Sequence, residues 1–375
     1  MYFIDGARMF KIKSISQMEQ ELLAMSKTED IVCQPESRVD IQKQIPADQV
    51  KRDVAILARL LINVYCGWPF HDKIVKRKVL KKLLFIYNNA HAMTPTDLFN
   101  ELKDVVAVIP DEHICLHFYK SQARYNSGRK NKNVGKNLAD ANTLVTELRP
   151  DNVAVIAFHR MYRDDWVEKQ LLAFKDSLDK SSALIVDLRG NGGGNSKYSD
   201  NLAEYLYGGD IRSAKKTFVR NNPDAARFLP MARPDGAWWQ NKIKGNTDPL
   251  SCGEEPLISF NAKKGYNKPI YILTDGRTGS SSEMFLLRMI HHPLVKVVGD
   301  NSRGMEVYGN VGWAYLTSSN IIVGIGMNYR ELEFDNFESK GYKPDIMCKD
   351  GQDAFEVAMA DLSKQSMLSR GGTER

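Results

Sequence analysis

The chain has 375 residues, 43% of them hydrophobic, with 52 Lys and Arg against 46 Asp and Glu, a formal net charge of +6. That length accommodates two or three domains with a sizeable core. The mild basic bias, with no aromatic-interleaved basic motif, argues against a dedicated nucleic-acid binder. Five scattered cysteines (Cys33, Cys66, Cys115, Cys252 and Cys348) argue against a disulfide framework and have no metal-site spacing. No apolar run is long enough to span a bilayer. The opening residues Met1 to Gly6 lack the basic-then-apolar plan of a signal peptide. The chain as written is expected in the cytoplasm, or in the periplasm or outside the cell if a leader has been trimmed.

Residues 1–46 read as an N-terminal segment and linker, with one helix over Ser14 to Met25. Val50, Val54, Leu57, Leu61 and Val64 then form a helical stripe. A second helix is predicted from Lys73 to Asn88. A third starts at Thr94, with Pro95 at its first helical position. Residues 47–119 are therefore a helical bundle that ends in Asp111-Glu112-His113 and a strand-like run from Ile114. Residues 120–151 are a basic loop and linker. Its first part, 120–136, holds six Lys or Arg and no acid, which reads as a solvated surface.

From residue 152 strands and helices alternate, which predicts an α/β layered domain over 152–375. Val153 to Phe158 and Ala183 to Leu188 are apolar strands, with an amphipathic helix from Asp164 to Leu178 between them. A short helix covers Ser199 to Leu206. The stretch 208–266, which contains Trp238-Trp239, is irregular and reads as an insertion. Pro269 to Leu273 and Val295 to Gly299 are strands, β-type runs follow around 312–328, and a last helix spans Gln352 to Leu362.

Two loops carry candidate chemistry. Asp187-Leu-Arg-Gly-Asn-Gly-Gly-Gly194 follows a buried strand, and its glycines let backbone N–H groups approach a ligand. It lacks the lysine of a phosphate loop and the spacing of a dinucleotide fingerprint. A flexible turn explains it as well as an anion cradle does. Thr278-Gly-Ser-Ser-Ser-Glu283 is a sharp turn that feeds a helix with Met284, Leu287 and Ile290 on one face. A serine there sits beside free backbone N–H groups that stabilise an oxyanion. Ser280-x-x-Glu283 is equally a capping box with no catalytic role.

Together these loops resemble the S41 peptidases, the C-terminal-processing proteases and the tricorn core. Val298-Gly299-Asp300, Glu338-Ser-Lys-Gly-Tyr-Lys-Pro-Asp345 and Asp111-Glu112-His113 extend the resemblance over about 50–365; no PDZ domain is recognisable. The resemblance implies a ClpP/crotonase-like α/β core. It implies Ser280 as nucleophile and the N–H groups of Ser281 and Gly193 as the oxyanion hole. The lysine of the processing-protease Ser-Lys dyad is replaced by Met305. The tricorn-type alternative implies His113 as general base, oriented by Glu338. Arg189 is expected in a structural ion pair and Asp345 in a turn, and His159 in no catalytic role.

The activity so implied is a serine-type peptidase acting on peptides or unfolded polypeptides. No metal and no organic cofactor are implied, nucleic acid is not an expected partner, and a homo-oligomer stays open. The rival is a non-catalytic binding protein on the same fold, like the repeats of the interphotoreceptor retinoid-binding protein. A crotonase-type acyl-CoA enzyme comes third.

Overall fold

The structure, a computed structural model, describes residues 2–5, 8–11, 13–34, 40–118, 124–126, 144–161, 165–207, 214–232, 250–254 and 265–371. Trp238-Trp239 and most of the basic stretch lie outside the described residues. The chain divides into two compact units, each discontinuous in sequence. The first takes residues 1–129, 217–253 and 308–330; the second takes 130–216, 254–307 and 331–375.

The second unit is built on a six-stranded sheet. Its order is Ile346–Met347, Val295–Gly299, Ile270–Thr274, Ala183–Asp187, Val153–Phe158, Leu144–Leu148. All neighbours run parallel except the last pair. Parallel strands are covered on both faces and so read as unbroken apolar runs. Ile270–Thr274 is buried at every position, and Ala183–Asp187 at all but the last. One face of the sheet packs Ile156, Val186 and Ile272 against Phe174, Leu178, Leu202 and Phe285 of the covering helices. The other packs Ile185, Tyr271 and Val298 beneath Ala354 and Ala358 of the helix Ala354–Gly371. Strand–helix alternation thus gives the expected α/β architecture. The predicted final helix is longer than the sequence pattern suggested.

The first unit begins with the helices Ile15–Leu23, Ala47–Arg59, Lys73–Asn88 and Pro95–Val106. Each expected residue of the stripe from Val50 to Val64 is buried. Leu61 and Val64, however, fall in a π-helical turn, Leu60–Val64, that widens the end of its helix. Such widening frees backbone carbonyls. Arg220 takes those of Ile62 and Asn63, at 2.9 and 3.1 Å.

Residues 47–119 are not a bundle alone: Cys115–Phe118 joins a sheet whose central strand is Ile321–Glu331. The two strands run antiparallel, with Ile321 opposite Phe118 and Gly324 opposite Cys115. Tyr308–Tyr315 pairs antiparallel with Ile321–Glu331 on top of this. The fully buried Asp53 carboxylate fastens helix to sheet by accepting the N–H groups of Ser318 and Ser319, at 2.9 and 2.8 Å. The predicted β-runs around 312–328 therefore belong with the N-terminal helices. The stretch expected to be an irregular insertion contains a strand, Lys216–Arg220, a helix, Pro223–Ala232, and a strand, Leu250–Glu254.

Candidate active site

Ile270–Thr274 and Ala183–Asp187 are neighbouring parallel strands in the register Ile270 to Leu184 and Leu273 to Asp187. Their following loops therefore leave the same sheet edge, at the carboxyl ends of the strands, where ligands bind in open α/β sheets. Asp275 joins the two loops. Its Oδ1 accepts the N–H of Gly190 at 2.9 Å and that of Arg277 at 2.9 Å. Thr278 donates its hydroxyl to the Leu188 carbonyl at 2.9 Å. Asn191, with no exposed surface, forms a second joint. Its side-chain amide donates to the Phe158 carbonyl at 2.9 Å, and its own carbonyl accepts the Gly279 N–H at 3.0 Å.

Ser280 stands at the start of the helix Ser281–Met289 with φ +52° and ψ −124°. A capping serine ordinarily has an extended backbone with negative φ, and a non-glycine residue held at positive φ costs roughly 1–3 kcal/mol. Ser281 Oγ donates to the Gly194 carbonyl at 2.7 Å, and the Ser281 N–H, in the first helical turn, has no acceptor within its own helix. Gly193 lies directly against this turn with φ +94°. A Cβ there would sit 2.7 Å from the Gly279 carbonyl oxygen, 2.7 Å from Ser280 Cβ and 2.8 Å from Ser281 N. Only glycine fits both the conformation and the space. The Gly193 N–H, expected from the sequence to face an oxyanion, donates to Asn191 Oδ1 at 3.0 Å.

Glu283, fully buried one helical turn on, is the residue that sequence reasoning read only as a cap. Its Oε2 accepts the N–H groups of Ser280 at 3.1 Å and Met305 at 2.7 Å. Its Oε1 accepts the Ser302 hydroxyl and the Gly304 N–H, both at 2.6 Å. Burial pushes its pKa up to about 7 against the pull of these four donors. The carboxylate thus ties the serine turn to the loop 302–305. That loop is tied in turn to the segment bearing Glu338: Gly304 accepts the Ser339 N–H at 2.8 Å, and the half-buried Glu338 accepts the Val307 N–H at 3.3 Å. Met305, which stands at the position of the dyad lysine, is buried beside Gly279. An acid three residues after the serine, joined to Ser302, Gly304 and Met305 some 20 residues on, is a signal that a single sequence does not show.

The sequence pattern of peptidase family S41 matches residues 152–348, just over half of the chain. The chain belongs to peptidase family S41. No curated protein matches it. Among solved structures it is similar to a protein from Parabacteroides merdae classed provisionally as a peptidase, with 16% identity over 84% of this chain and 95% of that one, at a TM-score of 0.57. It is also similar to mature CPAF, with 12% identity over 80% of this chain and 92% of that one, at a TM-score of 0.56. Identities this low bear on the fold. Family membership supports a peptidase role.

Ser280, Ser281, Gly193 and Glu338 of this S41 chain all lie in the second unit; His113 lies in the first. His113 is buried at the end of the helical segment, and its backbone N–H donates to Asp111 Oδ1 at 2.7 Å. Asp111 has no exposed surface, and burial pushes its pKa up to about 7 while bonds from the Tyr65 hydroxyl and the His113 and Ile114 backbone oppose the shift. Tyr65 also bonds His71 Nε2 at 2.9 Å, and burial lowers the His71 pKa to about 4.

Arg189 is in the expected structural pair. Two of its nitrogens bind Asp187, at 2.9 and 2.6 Å, and a third binds Asp353 at 2.8 Å. Asp345 accepts the Val297 N–H at 2.8 Å, fixing the start of the strand Ile346–Met347 against its neighbour. His159 is half-buried at the end of its strand.

Proposed function

We propose that the chain is a serine peptidase that hydrolyses peptide bonds in peptides or unfolded polypeptides. The observation that carries this reading is the Ser280 backbone. A non-glycine residue at φ +52° persists only where its surroundings impose it. Here that residue is a serine at the start of a buried helix, in a strained strand-to-helix turn such as a nucleophile elbow uses. In this reading Ser280 Oγ attacks the scissile carbonyl. His113, assigned from the family motif, takes its proton and passes it to the leaving amine, and Glu338 orients the imidazole. The developing oxyanion takes the Ser281 N–H, and the Gly193 N–H shared with Asn191 Oδ1. Glu283 touches no reacting atom; it positions the Ser280 turn.

The capture of the Gly193 N–H by Asn191 is what favours the rival, a binding protein without turnover. A fluorophosphonate separates the two. The expected result is stoichiometric labelling that maps to Ser280, with loss of both labelling and casein hydrolysis in Ser280→Ala. An adduct on Ser281 or Ser282, or a folded protein that takes no label, overturns the reading.

A further inference from the structure

The helix Lys73–Asn88 packs its Val79, Leu80, Leu83 and Ile86 inward. Its outward side is unusual. Over sixteen residues it carries Lys73, Lys76, Arg77, Lys78, Lys81 and Lys82 and no acid. Ile74 and Phe85 are 66% and 68% exposed. At about 100° per residue, Ile74, Lys78, Lys81 and Phe85 (i, i+4, i+7, i+11) fall on one line down the helix, with Arg77 and Lys82 at its edges. The line spans about 16 Å at ~1.5 Å per residue, apolar at both ends and cationic between.

Lys73, Lys78, Lys81 and Lys82 are exposed and enter no ion pair among the described residues. Three nearby acids bond other groups, and the charge of Lys78 also acts on Asp72. Asp72 caps the helix by accepting from Ile74 and Val75. Glu19 accepts the Trp68 indole N–H, and Glu21 pairs with Lys13 at 2.6 Å.

We infer that this face docks on an anionic lipid surface, with Ile74 and Phe85 entering the headgroup boundary and the lysines lying on lipid phosphates. Charge complementarity selects an anionic partner. The two large apolar side chains on the same line select a lipid interface, since a solvated cationic helix gains nothing by exposing them and a bilayer buries both. A nucleic-acid strand would use stacked aromatics, and this line offers a single ring. The contact so inferred is peripheral, made by one face of a helix packed on its own unit. It adds to the family's peptide chemistry and does not depend on the proposed catalytic residues.

The test is co-sedimentation of the full chain with vesicles of phosphatidylcholine alone or mixed with phosphatidylglycerol. Binding to the mixed vesicles is expected to exceed binding to the neutral ones by at least about tenfold. Each lysine near a charged surface contributes on the order of fivefold in affinity, so Lys78→Ala with Lys81→Ala is expected to lose roughly 25-fold. Ile74→Ser with Phe85→Ser, at unchanged charge, is expected to lose about tenfold or more. All four positions are exposed or peripheral to the core, so thermal melts are expected to stay at wild type. Equal binding to both vesicle types overturns the proposal. So does undiminished vesicle binding by Ile74→Ser with Phe85→Ser. Capture of single-stranded DNA at least as tightly as mixed vesicles, insensitive to that apolar pair, overturns it in favour of nucleic acid.

Discussion

Gly193→Ala is the substitution that most directly probes the serine turn. Alanine at φ +94° adopts a backbone conformation that costs roughly 1–3 kcal/mol. The new methyl also meets the Gly279 carbonyl at 2.7 Å, Ser280 Cβ at 2.7 Å and Ser281 N at 2.8 Å. Two of these are backbone atoms and the third is bonded directly to one, so no side-chain rotation relieves the overlap. Overpacking of this kind costs a further ~1–3 kcal/mol. Relief comes only by moving the 191–194 loop and the Ser280 turn apart, and a misplacement near 1 Å lowers turnover by about 10².

The assay is kcat on a peptide substrate together with the rate of phosphonate labelling, read beside a thermal melt. The neighbouring Gly192 supplies the control: beyond its chain neighbours the nearest atom to the added Cβ, the Arg277 carbonyl oxygen, is 4.0 Å away, so Gly192→Ala should behave as wild type. Gly299→Ala supplies the opposite control. Its φ is +131° and its Cβ would strike the Thr274 carbonyl between two core strands, so it should lower the melting temperature with less effect on the labelling rate of the folded fraction. A folded Gly193→Ala protein with kcat and labelling rate within about twofold of wild type would refute the reasoning, because a loss of ~10² is what the displacement demands.

Three further outcomes are expected. Glu283 has a folded pKa near 7, above its ordinary value of 4.5, so its contribution to stability is full below about 4.5 and is lost as pH rises through about 7; in urea titrations Glu283→Gln should flatten that window, while lowering kcat because its amide nitrogen, in place of one carboxylate oxygen, cannot accept the backbone N–H that oxygen held, that of Gly304 at Oε1 or that of Met305 at Oε2. A Gln variant with the wild-type pH slope would contradict this. His71 runs the other way: with its pKa lowered to about 4 from 6.5, stability is present above 6.5 and falls as pH drops toward 4, by roughly 3 kcal/mol at ~1.4 kcal/mol per unit, and His71→Phe should remove that acid sensitivity in pH-dependent denaturation. Finally, His113→Ala should abolish most turnover with the melt preserved, whereas His159→Ala should be mild; near-wild-type kcat in His113→Ala would exclude it as the base.

The strands Ala183–Asp187 and Ile270–Thr274 were legible in the sequence because a strand buried on both faces must be apolar at nearly every position. The glycines after Asn191 and the serine turn were legible for a similar reason: close backbone approach restricts residue type. The first unit's sheet was not. Cys115–Phe118 finds its partner at Ile321–Gly324, and local periodicity says that a strand wants a partner without saying which. The Ser280 backbone was hidden too. Ser-x-x-Glu predicts an ordinary cap, and positive φ at a serine is imposed by contacts with Gly193 and by the Glu283 carboxylate. The Asn191 to Gly193 bond inside the glycine loop is likewise a property of the folded turn.

The pairing of Phe118 with Ile321 has a consequence for synthesis. A ribosome adding about 5–20 residues per second needs roughly 10–40 s to travel the ~200 residues between these partners. Through that interval the N-terminal helices have emerged, while the Ser318 and Ser319 amides that will receive Asp53 do not yet exist. The carboxylate must wait in water, and the helix face that bears it cannot close. The first unit is thus begun first but cannot be completed until its last segment, 308–330, has been made, and a ribosome stalled before residue 321 leaves it without its central strand.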